Sequence, residues 1–216
     1  MISRRQFLTG LALTAAAAAT PALALAAIPF PSDDMGSNQN GDPLPDYDER
    51  SLQGRPEQQP LYVDGMLKLR RGHTGERYGF NFRDVQGNYN PEIMLSLDWF
   101  MRCNYDDSYL RMDTRIIEEL NYIAKWFGNP EITINSAYRT PRYNQLISKN
   151  NENVAKNSLH IVGRAIDFSI PGIPIRQVCQ VAQATRNLAG TGGVGYYPSQ
   201  NFVHIDCGTR SATWVR

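Results

Sequence analysis

The chain has 216 residues, 42% of them apolar and 20% charged, with a formal net charge of +1. That length fits one domain with appendages, and the near-neutral balance argues against a nucleic-acid binder or a membrane-surface binder driven by bulk charge. Any specificity must therefore reside in a local site.

The N-terminus reads as a targeting segment. Ser3-Arg4-Arg5-Gln6-Phe7-Leu8 is a twin-arginine pattern, followed by an alanine-rich run from Leu11 to Ala19 and a small-x-small cleavage site at Ala24-Leu25-Ala26. The run is short and poor in large apolar side chains for a bilayer span, so no stable membrane insertion is expected after cleavage. Cleavage after Ala26 removes Arg4 and Arg5 and no acid, lowering the formal charge by two, to −1. Residues 1–26 are thus a signal peptide, and the expected location is the periplasm or cell envelope. Residues 27–60, rich in Pro, Gly, Asn, Asp and Gln, read as a flexible linker, and residues 61–216 as one folded domain. Three cysteines, Cys103, Cys179 and Cys207, allow at most one internal pair and are read as buried thiols.

Within the domain, Leu61–Val63 and Met66–Leu69 predict short strands, Gly72–Gly75 a turn, and Tyr78–Phe82 a half-buried strand, together a hairpin. Asn90-Pro91 predicts the start of a helix running to Cys103. Asp113-Thr114 starts a second, with Ile116, Leu120, Ile123 and Phe127 on one face and Gly128 at its end. Ile132–Ile134 is a β-branched strand, Arg142–Lys149 a helix and Asn150–Ser158 a polar loop. Arg164–Ile170 reads as a central strand, Ile175–Leu188 as a third long helix, Gly190–Gly195 as a glycine-rich turn and Phe202–Asp206 as the last strand. The order predicts an α+β fold, a small antiparallel sheet with helices packed on it.

The residues that carry chemistry lie in Ser158-Leu159-His160-Ile161-Val162-Gly163-Arg164-Ala165-Ile166-Asp167 and, further on, His204-Ile205-Asp206. His160, Asp167 and His204 could supply two imidazoles and a carboxylate, a donor set that suits catalytic zinc with its three protein ligands and an open position. Residues two apart in a strand share a face, so His204 and Asp206 point together while Val203 and Ile205 face the core. Asp206 could then be a general base or could orient an imidazole. On spacing alone, a pair of satisfied structural histidines remains open. His73, in the turn, is read as structural.

Ser158-x-His160-x-x-Gly163-x-Ala165-x-Asp167 resembles the first motif of the zinc D-alanyl-D-alanine metallopeptidase superfamily, which includes lysostaphin-like endopeptidases and the hedgehog domain. Ser136-Ala137-Tyr138-Arg139 resembles its S-x-Y-R element, and the segment from Gly192 to Asp206 resembles the closing segment of its murein endopeptidase branch. The resemblance implies one catalytic Zn2+ held by His160, Asp167 and His204. It implies that Arg139 holds a substrate carboxylate or polarises the scissile carbonyl. Ser158, Tyr196 and Tyr197 become candidate substrate contacts. Many members carry an acid three residues before the last histidine; here that position is Asn201, which leaves Asp206 as the candidate base. The implied activity is a zinc-dependent murein endopeptidase that hydrolyses peptide cross-links, with peptidoglycan stem peptides as partner and no nucleic acid. The alternatives are a D,D-carboxypeptidase trimming terminal D-Ala and a non-catalytic zinc-containing peptidoglycan-binding module.

Overall fold

A computed structural model describes residues 64–151, 154–189 and 191–216. The expected signal peptide, the linker and the strand at Leu61–Val63 lie outside the described residues. The chain then forms β1 (Met66–Arg71), β2 (Arg77–Asn81), α1 (Pro91–Phe100), α2 (Thr114–Trp126), β3 (Glu131–Ser136) and α3 (Pro141–Asn150). A single 3-10 turn at Leu159–Val162 leads into β4 (Ala165–Ser169), α4 (Ile175–Ala189), β5 (Gly193–Tyr197), β6 (Phe202–Asp206) and β7 (Ala212–Val215).

Local chemistry accounts for the helix starts. Asn90 caps α1 by accepting the N–H groups of Glu92 at 3.1 Å and Ile93 at 3.2 Å. Asp113 caps α2 by accepting the N–H of Arg115 at 3.1 Å. Helix α1 stops at Phe100, before the expected Cys103, because Arg71 is drawn into its last turn and donates to the Phe100 carbonyl at 2.9 Å. A buried guanidinium consumes carbonyls that a longer helix would have used itself.

The α+β class holds, but the sheet is larger than expected and mixed. Its seven strands run in the order β2-β1-β3-β4-β6-β5-β7. The β1–β3 and β5–β7 pairs are parallel and the other four are antiparallel. Strand β4 is central, as predicted. Two strands escape the sequence reading. Gly193–Gly195 belongs to β5 rather than to a turn, and β7 follows β6. The glycines are there because side chains from neighbouring strands need the room: a Cβ on Gly193 would lie 2.2 Å from the Asp206 carboxylate, and one on Gly195 would lie 2.6 Å from the Trp214 indole.

Alternation sorts the sheet into two faces. Leu69, Ile132, Ile134, Phe168, Ile166, Val203, Ile205 and Val194 are fully or almost fully buried, and α2 and α4 pack with them into one apolar core. Each such side chain contributes about 1.5–3 kcal/mol of transfer free energy. The opposite face carries one continuous register row across five strands: Ser136, Asp167, His204, Gly195 and Trp214. The polar end of that row is the functional face.

Candidate metal centre and active-site cleft

His160 reaches the row from the 3-10 turn. Ser158 caps that turn, accepting the His160 N–H at 3.4 Å, and Gly163 ends it at φ +66°. Only glycine fits there, because a Cβ would lie 2.7 Å from the Arg111 carbonyl oxygen in a left-handed conformation. The ring is fixed from behind: Nδ1 lies 2.6 Å from the Ala137 carbonyl, which makes Nδ1 the protonated donor and leaves Nε2 as a lone pair. Ala137 sits between Ser136 and Arg139, so the S-x-Y-R element supplies this backbone oxygen as well as its side chains.

Asp167 and His204 are direct cross-strand partners on β4 and β6. His204 Nδ1 is 2.7 Å from Asp167 Oδ1 and 3.2 Å from His160 Nε2, and His160 Nε2 is 3.3 Å from Asp167 Oδ1. The second Asp167 oxygen is held by Arg139 Nη2, and Arg139 Nε donates to Ser136 Oγ at 2.8 Å. On its far edge the His204 ring presents Nε2 to Asp206 Oδ2 at 3.3 Å. Asp206 Oδ1 accepts the backbone N–H groups of Gly193 at 3.0 Å and Gly208 at 2.8 Å.

The electrostatics follow from burial and these contacts. Burial holds His160 below its usual range, with Asp167 offsetting only part of the effect. For Asp167 burial works upward, but the two imidazoles beside it hold the carboxyl well below its ordinary value. Burial opposes charging His204 too, yet hydrogen bonds to Asp167 and Asp206 outweigh it and push the ring up to about 9. Asp206, despite its burial, is held below the usual carboxylate range by His204 and by the Gly208 and Gly193 N–H groups.

Among the described residues, His160, Asp167 and His204 form the one cluster of three His, Cys, Asp or Glu side chains whose ligand atoms all lie within 4.8 Å of one another. Three electron-rich atoms facing one another at this spacing are stable only with a proton or a cation between them. Each imidazole has its other nitrogen committed to an oxygen, the arrangement that orients a metal-ligating histidine. The donor set therefore fits zinc.

The cluster lies in a cleft of about 480 Å³. Arg139, Ser158, Tyr197, Phe202 and Trp214 line it along with the cluster and Asp206. Tyr197 thus reaches the cleft, where its ring stacks on Phe202 at 4.3 Å and its hydroxyl accepts from Trp214 Nε1 at 3.0 Å. Tyr196 does not: alternation along β5 turns it to the opposite face, against the core. Asn201 sits exposed in the β5–β6 turn with φ +55°, a left-handed position that asparagine tolerates. His73 is exposed in the β1–β2 turn and does not line the cleft. All three cysteines are buried free thiols. The residues missed in the sequence are Trp214, Phe202 and the Ala137 carbonyl. Strand periodicity over Ala212–Val215 was the signal available for Trp214, and alternation along Phe202–Asp206, which puts Phe202 on the face of His204 and Asp206, was the signal for Phe202.

Residues 63–214 match the family model described as peptidoglycan L,D-endopeptidase MepK. The chain belongs to this family. A protein of Haemophilus influenzae named "Probable peptidoglycan L,D-endopeptidase MepK" is 37% identical over 145 residues, covering 66% of this chain and 75% of the relative. The peptidoglycan L,D-endopeptidase MepK of Escherichia coli K12 is 34% identical over 144 residues, covering 66% and 76%. The Shigella flexneri peptidoglycan L,D-endopeptidase MepK is equally similar. Membership makes the chain a peptidoglycan endopeptidase, the activity that the motifs of the endopeptidase branch implied. Residues 1–21 match the twin-arginine translocation signal, so this family member is exported by that route. No helix among the described residues is long and apolar enough to cross a membrane.

Proposed function

We propose that this chain is a zinc-dependent L,D-endopeptidase that opens peptide cross-links of peptidoglycan after export. Its signal peptide would be residues 1–26, its tether residues 27–60 and its peptidase domain residues 61–216. The observation that carries the zinc reading is the triangle of His160 Nε2, Asp167 Oδ1 and His204 Nδ1, with edges of 2.7–3.3 Å. The bond class comes from the relatives named above.

A zinc ion in that triangle would supply Lewis acidity and activate a water for attack on the scissile carbonyl. The protein's own residues set the geometry. His160 and His204 are each held by the nitrogen that faces away from the triangle. Arg139 grips Asp167 with one Nη and Ser136 with Nε, which leaves its remaining Nη for a substrate oxygen or for charge developing on the carbonyl. Of the two roles open to Asp206, its contacts support the orienting one. Oδ1 is occupied by two backbone N–H groups and Oδ2 faces His204, so little basicity is left for a water proton. Ser158 holds the turn that carries His160, and Tyr197 with Phe202 and Trp214 offers an aromatic wall to the stem peptide.

The test is to incubate purified mature protein with intact sacculi, with and without a zinc chelator, and to identify the muropeptides by mass spectrometry. Cross-linked dimers should disappear and monomers accumulate, with chelator abolishing both changes. Activity that survives full metal removal overturns the zinc reading. Release of free D-alanine with dimers intact would make the enzyme a carboxypeptidase, and unchanged muropeptides with zinc bound would make it a binding module.

A further inference from the structure

The register row places His204, Gly195 and Trp214 on three successive strands, β6, β5 and β7. Strands lie about 4.8 Å apart, so His204 and Trp214 are next-nearest neighbours, roughly 10 Å apart at the backbone. Side chains two strands apart on one face meet most readily when the residue between them has no side chain. Here it has none: the His204 and Trp214 ring centroids are 5.3 Å apart, tilted by 49°. The three atoms nearest to a Cβ built on Gly195 all belong to the Trp214 indole, at 2.6–2.8 Å. The far end of the indole is pinned by its Nε1–H donating to Tyr197 Oη at 3.0 Å. The His204 ring is therefore held at Nδ1, at Nε2 and by an aromatic group two strands away.

From this geometry we infer that Trp214, reaching across Gly195, is a positioning residue that fixes the plane of the His204 ring and with it the metal geometry. The inference rests on the reading of His204 as a zinc ligand. It assigns a function to β7, which contributes no ligand of its own, and gives the glycine at 195 a reason beyond backbone freedom. An indole that merely covers a bare stretch of sheet would stabilise the fold and leave the metal indifferent.

The decisive experiment compares Trp214→Ala, Trp214→Phe, Gly195→Ala and the double variant Gly195→Ala/Trp214→Ala in the full mature protein. Three properties are read: zinc affinity by competition with a chelator, the visible spectrum of the cobalt(II)-loaded protein, and kcat and KM separately. Thermal unfolding selects the variants that fold. Trp214→Ala should weaken metal binding and lower kcat by about 10–100-fold, the usual range for partners that orient a ligand, and should shift the cobalt bands. Trp214→Phe keeps a ring over Gly195 and should fall between. Gly195→Ala should resemble Trp214→Ala, because its methyl group evicts the indole, yet add little once Trp214 is already Ala. The inference is overturned if the single variants lose thermal stability but keep wild-type metal affinity and cobalt spectrum, or if the two substitutions multiply in the double variant. Wild-type protein that binds neither zinc nor cobalt would instead overturn the metal reading on which this rests.

Discussion

Asp206 Oδ2 lies 3.3 Å from His204 Nε2, on the ring edge opposite the Nδ1 that meets Asp167 at 2.7 Å. With His204 as the proposed zinc ligand, this carboxylate would brace the ring from behind, although it lines the same cleft. The Asp206→Asn variant is therefore expected to lose zinc affinity and kcat together, each by about 10–100-fold. Chelator competition and steady-state kinetics on the same preparation check this. Full zinc retention with kcat down by about 1,000-fold or more would return Asp206 to the role of general base.

Arg139 and Asp167 form an ion pair whose side chains are 12% and 7% exposed. Breaking a buried pair outright costs about 3–5 kcal/mol; here the two imidazoles stay beside the Asp167 carboxylate, so the loss of Arg139 should cost less than that. A bound zinc ion would offset much of that loss by supplying the missing positive charge. Urea unfolding of Arg139→Ala should accordingly show a loss of stability in the presence of chelator and a distinctly smaller one at saturating zinc. Equal losses in both conditions would mean that Arg139 stabilises the fold independently of the metal site.

Much of the site is legible in the sequence because it is built from local spacing. His160 and Asp167 are joined by a capped turn whose Ser158 and Gly163 are visible as residues, and His204 and Asp206 share a face by simple alternation. What could not be read depends on strand pairing. Gly193 and Gly195 look like turn residues, because the usual reason for glycine is backbone freedom. Here the reason is the close approach of Asp206 and Trp214 from β6 and β7, the strands paired on either side of β5. Once Gly190–Gly195 is taken as a turn and no strand is read after it, nothing separates Tyr196 from Tyr197, although the pleat of β5 sends one to the core and the other to the cleft. The division of Asp206's two oxygens between backbone and imidazole is likewise a property of β5, β6 and the loop after β6 together.

Asp98, on α1, makes a prediction remote from the cleft. Its Oδ1 accepts the Met112 N–H at 2.9 Å, fastening the loop after α1, while Oδ2 is buried with no hydrogen-bond partner among the described residues. Burial pushes this carboxyl up to about 8, against the weaker downward pull of the Met112 N–H and the Arg111 charge. In the unfolded chain the ordinary value is 3.8. Between those values the folded protein keeps a proton that the unfolded chain has lost, so stability falls as pH rises through the window and levels off above it. Asp98→Asn keeps an acceptor for Met112 and removes the titration. Near pH 4 the variant should be no more stable than wild type, because its buried amide N–H₂ lacks a partner, a cost of about 1–3 kcal/mol. Toward pH 9 the difference should shrink or reverse, as wild type bears the cost of a buried charge and the variant does not. Denaturation curves of both proteins across pH 4–9 check this, and parallel stability profiles would show that Asp98 is already ionised in the folded protein.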